Sequence, residues 1–232
     1  MAERGTSIRA RVRAELTEEI KKAARAQLAV EGANLSLRAV ARELGMASSA
    51  VYRYFASRDE LLTALIIDAY DALGAAAETA DARYKRRTDF AGRWVAVARA
   101  LREWALTAPS EYALVLGSPV PGYRAPRDTT GPASRTPYVL VGIVAEARDA
   151  GQLAPADGPP IPARLRTELA ALARTVEVDL DEPLLARTLA AWSQLYGAIS
   201  FELFGQLDNM IDRRAEWFDY QARGMAAQIG LC

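Results

Sequence analysis

Apolar side chains recur along this chain at the three-and-four spacing of helices, and no segment alternates convincingly at the two-residue spacing of strands. Leu16, Ile20, Ala24 and Leu28 form the first stripe, with Thr17, Glu18 and Glu19 as a helix start and Gly32 as a stop. Ser36 then precedes Leu37, Val40, Ala41 and Leu44, a run closed by Gly45. The break Gly45-Met46-Ala47 leads to a cap at Ser48 and a second short helix through Tyr54, with Phe55 sharing the inward face of Val51. Two helices this short are unstable alone and must pack on neighbours.

Ser57 and Glu60 have capping-box spacing and open a long helix, striped by Leu62, Leu65, Ile66, Ala69 and Leu73 and fraying within 74–83. Further helices are predicted from Thr88 or Asp89 to near Pro109, from Ser110 to Leu116, and over 134–150, 163–176, 182–204 and 208–228. Residues 117–133 and 151–162, rich in Gly and Pro, read as loops. The fold class is therefore all-α.

Composition narrows the chemistry. There is no histidine, which removes the usual general base and the commonest zinc ligand, and Cys232 is the single cysteine, so no internal disulfide can form. No phosphate-binding Gly loop or metal-ligand cluster is evident. Neither a catalytic residue nor a metal or other cofactor is assigned. With no apolar run long enough to span a bilayer and no leader-like apolar segment, a cytoplasmic location and no membrane partner are expected.

Net charge is zero, but it is unevenly placed. Residues 1–60 hold eleven Lys/Arg against eight Asp/Glu, and the first thirteen hold Arg4, Arg9, Arg11 and Arg13 against Glu3. Such an end fits either phosphate contact or a solvated arm.

Residues 36–55 have the build of a helix-turn-helix, although two short amphipathic helices of an ordinary bundle would read the same way. In the first case the second helix enters the major groove. Ser48, Ser49 and Ala50, beside Ala47, would then meet bases, while Tyr52, Arg53 and Tyr54 would meet phosphates or flanking bases. Ser36, Arg38 and Arg58 belong to the same candidate surface.

The runs Ala39-Val40-Ala41-Arg42-Glu43-Leu44-Gly45-Met46 and Val51-Tyr52-Arg53-Tyr54-Phe55-Ala56-Ser57-Arg58-Asp59-Glu60-Leu61-Leu62 closely resemble the DNA-binding signature of the TetR family. Tyr54 stands at a frequent His position and Arg58 at a frequent Lys position. The resemblance, strong over about residues 15–65, implies that Tyr52, Tyr54 and Arg58 contact the phosphate backbone. It also implies a homodimer of all-helical chains with a small-molecule effector. Trp192-Ser193-Gln194-Leu195-Tyr196-Gly197 and Glu202-Leu203-Phe204 resemble an effector-domain subgroup named for a Trp-His-Gly pattern, with Tyr196 at the His position.

The expected organisation is a helix-turn-helix domain with a basic arm over 1–60, joined by a long helix to an effector and dimerisation domain over 61–232. Trp94, Trp104, Tyr112, Tyr138, Trp192, Tyr196 and Phe201 are candidates for an aromatic effector pocket; each taken singly reads first as core, and the resemblance implies that some of the group line a cavity. Leu189, Trp217, Tyr220 and Gly224 are candidates for a two-fold four-helix interface, with burial inside one subunit as the other possibility. The function expected is a sequence-specific regulator acting on a roughly palindromic double-stranded operator, a repressor released by a small apolar or aromatic ligand. A ligand-independent architectural DNA binder and a helical enzyme are the other readings, and Glu202 is the carboxylate that the enzyme reading singles out.

Overall fold

The computed structural model describes residues 2–31, 35–155 and 159–231, with side chains from Ile8 onward except that of Glu31. Gly32, expected as a helix stop, and Cys232 lie outside the described residues, as does the side chain of Arg4. Ten α-helices are present among the described residues: α1 (Ala2–Glu31), α2 (Leu37–Glu43), α3 (Ser48–Val51), α4 (Arg58–Arg83), α5 (Phe90–Thr107), α6 (Pro109–Leu116), α7 (Thr130–Asp149), α8 (Ala163–Thr175), α9 (Glu182–Leu203) and α10 (Arg214–Ile229). The one β-type pairing among them is an isolated bridge between Leu153 and Leu231.

Several boundaries differ from those predicted, each for a local reason. Helix α1 does not start at Thr17, whose hydroxyl donates back to the Arg13 carbonyl and so acts within the helix rather than as its cap. Helix α4 runs unbroken through Gly74 to Arg83. Ala47 rather than Ser48 precedes α3, and Pro109 opens α6, a first-turn position that needs no N–H. Helix α7 begins inside the stretch read as loop and carries Pro137 in its interior, where the carbonyl of Ala133 loses its usual donor. Helix α10 starts at Arg214, after a run of turns over 204–210.

Other caps follow the sequence closely. Ser57 Oγ accepts from the Glu60 N–H at 3.1 Å, while Glu60 Oε2 accepts from the Ala56 N–H at 2.6 Å. Asp89 Oδ1 accepts from the Gly92 N–H at 2.8 Å, and Asp181 Oδ1 from the Leu184 N–H at 2.8 Å.

The chain forms two compact units, one from 1–70 with 108–132, the other from 71–107 with 133–232. This division by contact is drawn differently from the 1–60 and 61–232 division by motif. It falls inside α4, and it assigns α6 and the segment after it to the N-terminal unit. The reason is burial. Val120 joins a core made of Ile20, Ala24 and Leu28 from α1, Leu37, Val40 and Ala41 from α2, Val51 and Phe55, and Leu61, Leu62 and Leu65 from α4. Each Val, Leu, Ile or Phe side chain among them, taken fully out of water, contributes about 1.5–3 kcal/mol, which is what holds α2 and α3 in place.

An ion-pair network adds to this unit. Lys21 Nζ lies 2.8 Å from Asp68 and 2.7 Å from Glu18, and Arg25 bridges Asp68 to Glu111 of α6. Burial pushes the Lys21 pKa down, but its bonds to Asp68 and Glu18 outweigh this and leave it raised.

In the second unit Arg93 of α5 is fully buried. Its Nε donates to Asp81 at 2.7 Å, its Nη2 to Asp81 at 3.0 Å and to Glu146 of α7 at 3.1 Å, and its Nη1 to Glu146. A buried guanidinium needs this many acceptors, because each unmet donor would cost free energy. Trp94, Leu101, Leu140, Ile143, Leu195 and Phe218 fill the apolar interior of the same unit.

Candidate nucleic-acid interface and effector cavity

Helix α2 ends at Glu43 with Leu44 as its C-cap, and Gly45 follows with φ +64°, a left-handed conformation open to a residue without Cβ. This turn reverses the chain into α3. Inward, Leu37, Val40, Ala41 and Val51 are buried. Outward, Arg38, Ala47, Ser49, Tyr52 and Arg53 are exposed, and Ser36, Ser48, Ala50, Tyr54 and Arg58 are half-buried. The ten residues singled out in the sequence thus lie within one helix-turn-helix and its flanks, none of them in the core.

Two of these side chains are held by the unit itself. Arg58 Nε donates to the Leu35 carbonyl at 3.2 Å, tying the start of α4 to the entry of α2. Tyr54 lies under the guanidinium of Arg13, whose Cζ is 5.3 Å from the ring centroid, and Arg13 Nη2 donates to the Arg53 carbonyl at 3.3 Å. The link between α1 and the turn after α3 spans forty residues, so nothing in local spacing announces it.

The second unit contains a cavity of about 310 Å³ between α7, α8 and α9. Tyr138 and Val141 line it from α7, Leu172 and Val176 from the α8 side, and Leu185, Thr188, Leu189 and Trp192 from α9. No lining residue is charged. The Thr188 hydroxyl is already committed, donating to the Leu184 carbonyl at 2.8 Å. Such a wall suits an uncharged, mostly apolar molecule near the small end of the usual ligand range.

Of the seven aromatic pocket candidates, Tyr138 and Trp192 line this cavity. Trp94 is completely buried in the interior of the second unit, and Trp104 is half-buried. Tyr196 packs edge-on against Trp192 with centroids 5.7 Å apart. Tyr112 is fully buried in the first unit, among different neighbours altogether. Phe201 is 57% exposed and lines a separate groove. Pro137, Val176 and Thr188 line the cavity without being candidates from the sequence; an interior proline in α7 is the available signal for the first of them.

That groove has a volume of about 420 Å³ and lies between α9 and α10, bordered by Gln194, Gly197, Phe201, Leu207 and Trp217. Trp217 and Tyr220 stack with centroids 5.6 Å apart, and Tyr220 is 71% exposed. A Cβ added at Gly197 or at Gly224 would meet nothing within 4 Å. Helix α9 therefore divides its labour. Residues 185, 188, 189 and 192 face the cavity, and 194, 197, 198 and 201 face the groove. Leu189, grouped from sequence with the interface, is on the cavity side.

Glu202 is buried and bonded to the Arg102 guanidinium, which leaves it no free role in the cavity. Among the described residues no helix is long and apolar enough to cross a membrane.

Residues 20–65 match the family described as bacterial regulatory proteins, tetR family, and residues 94–225 match the tetracyclin repressor-like C-terminal domain. An HTH-type transcriptional regulator of Mycobacterium bovis and one of Mycobacterium tuberculosis are each 39% identical over 225 residues, covering 94% of this chain and 93% of the relative. The crystal structure of a regulatory protein, SCO4313, superposes with a TM-score of 0.75 at 35% identity, covering 94% of this chain and 98% of that one.

Proposed function

Because the chain belongs to the tetR family of bacterial regulatory proteins, DNA-binding transcriptional regulators, we propose that it is a dimeric repressor released from a roughly palindromic operator by a small, uncharged, apolar ligand. The observation that carries the DNA-reading part is the polar and small-residue surface of 36–58 laid over a buried apolar frame. Ser48, Ser49 and Ala50 would approach base edges, and Arg38, Tyr52, Arg53, Tyr54 and Arg58 would hold phosphates.

The uncharged cavity between α7, α8 and α9 is the proposed effector site. Its coupling to the reader has two covalent routes. Helix α4 carries Leu61, Leu62 and Leu65 of the reader core and, further on, Asp81, the partner of Arg93. The segment after α6 carries Val120 of the reader core and leads into α7, which lines the cavity. A ligand that favours one arrangement of these segments would change operator affinity by a coupling factor of about 5–150, and DNA would change ligand affinity equally.

The groove of α9 and α10 is the proposed homodimer face, since Phe201 stands exposed there beside the open Gly197, and Tyr220 and Gly224 lie exposed further along α10. Two recognition helices would then meet successive major-groove faces about 34–36 Å apart. A kinship with the Trp-His-Gly subgroup is proposed on residues 192–197 and 202–204 alone, and a cytoplasmic location on the regulatory function.

Selection of bound sites from random duplex DNA at physiological salt, repeated with Tyr52→Ala, tests the proposal. One enriched inverted repeat that the variant fails to select is expected. A folded chain that selects no site would overturn the reading.

A further inference from the structure

Helix α1 extends well beyond the core of the unit it belongs to. Its first fully buried residue is Ile20, and every described side chain from Ile8 to Glu15 is exposed. A helical projection with so little packed against it is marginal on its own account. Its charge is one-sided as well. Among the described side chains from Ile8 to Glu15, Arg9, Arg11 and Arg13 stand against one carboxylate, Glu15, which pairs with Arg11 at 3.5 Å.

Arg9 and Arg13 are four residues apart, so they share a face, and like charges at that spacing oppose helix formation unless an anion comes between them. Among the described side chains, none gives Arg9 an ion-pair or hydrogen-bond partner. The position of Arg13 is fixed by the Arg53 carbonyl and the Tyr54 ring, at the end of the recognition segment. Arg9 stands one turn further out, about 6 Å along the axis.

We infer that this projection is a second DNA-contact element, in which Arg9 and Arg13 hold phosphates flanking the major-groove site and so lengthen the duplex that each subunit grips. The inference rests on the DNA-reading function proposed above. Its occupant is double-stranded DNA because the exposed face is cationic and continues directly from Tyr54 and Arg53. The contact is to backbone, so it adds affinity without base preference.

The test uses the full chain and the duplex selected by it, with binding measured from 50 to 200 mM salt. In a dimer, Arg9→Ala removes two phosphate contacts. The slope of log affinity against log salt should then be shallower by about 1.8, so that the wild type loses about 12-fold more affinity than the variant across that range. Arg9→Lys should restore the slope. Duplexes trimmed to the edges of the inverted repeat should bind the wild type more weakly than long ones, and should bind Arg9→Ala equally well at either length.

Arg9 avoids the ambiguity of Arg13, whose removal also frees the Arg53 carbonyl. An unchanged slope and no sensitivity to flank length, in a wild type that does select a site, would overturn the inference and leave the regulator reading intact. A wild type that selects no site would overturn both.

Discussion

Glu202 of α9 accepts a hydrogen bond from Arg102 Nε of α5 at 2.7 Å and a second from Nη2 of the same guanidinium. Both side chains are largely withdrawn from water, with 19% of the arginine and 6% of the glutamate exposed. The arginine also lies over the Phe218 ring, so one cation joins α5, α9 and α10. Removing the carboxylate would strand it. Glu202→Ala should lower unfolding free energy by about 3 kcal/mol, with Glu202→Gln costing less because an acceptor remains. Denaturant titration checks this, and equal stability for wild type and Glu202→Ala would show the pair to be dispensable.

The acid limb of stability should depend on Asp81. Burial opposes its charge, yet the bonds and charges of Arg93 and Arg87 outweigh that and hold its pKa below the ordinary 3.8. A carboxylate with a depressed folded pKa stabilises the fold above its unfolded value and loses that contribution as pH falls through the folded one. Asp219, held down by its bond with Arg99, and Asp89, held down by the Tyr84 hydroxyl, act in the same direction. Stability should therefore decline below about pH 4. It should stay flat from about pH 6 to 8, since the chain has no histidine. Unfolding curves across this range would show both features, and Asp81→Asn should flatten the decline while lowering stability at neutral pH.

Gly45 is the turn of the reader, and its φ of +64° disfavours any side chain even though a methyl group there would stand in open space. Gly45→Ala should cost about 1–2 kcal/mol from backbone strain alone. Its effect on operator affinity should be larger than that of an equally destabilising change elsewhere, because the turn sets the angle of α3. Comparing the two in a binding titration tests this.

The cavity and the groove can be separated by substitution. Leu189→Trp should fill space between α7, α8 and α9 and abolish ligand-induced thermal shifts while operator binding persists. Loss of the dimer in this variant, measured by sedimentation, would instead put Leu189 at the subunit interface.

Gly224→Ala isolates the interface from the other side. Within one chain the added methyl group meets open space, and alanine improves helix propensity by about 1 kcal/mol. A second copy seated on α9 and α10 would meet that methyl group and dissociate more readily. Stabilised monomers with a weakened dimer are the expected result, and Tyr220→Glu should weaken the dimer further. Unchanged association of both variants would move the interface elsewhere.

Much of this molecule was legible in the sequence because its information is local. The stripe Leu37, Val40, Ala41, the left-handed Gly45, and the Ser57–Glu60 cap all act over a few residues, so spacing alone placed them and left the residues between them on the outside. The family signature lay in the same short stretch. What the tertiary structure decided were meetings between distant segments. Val120 enters the reader core, and Tyr112 is buried in that unit rather than beside Trp192. Arg13 sits on Tyr54, and α9 turns one face to a cavity and another to a groove. An aromatic or aliphatic side chain at helical spacing announces that it will be buried. Which partner buries it depends on how whole helices pack, and that is settled by the fit of many side chains at once.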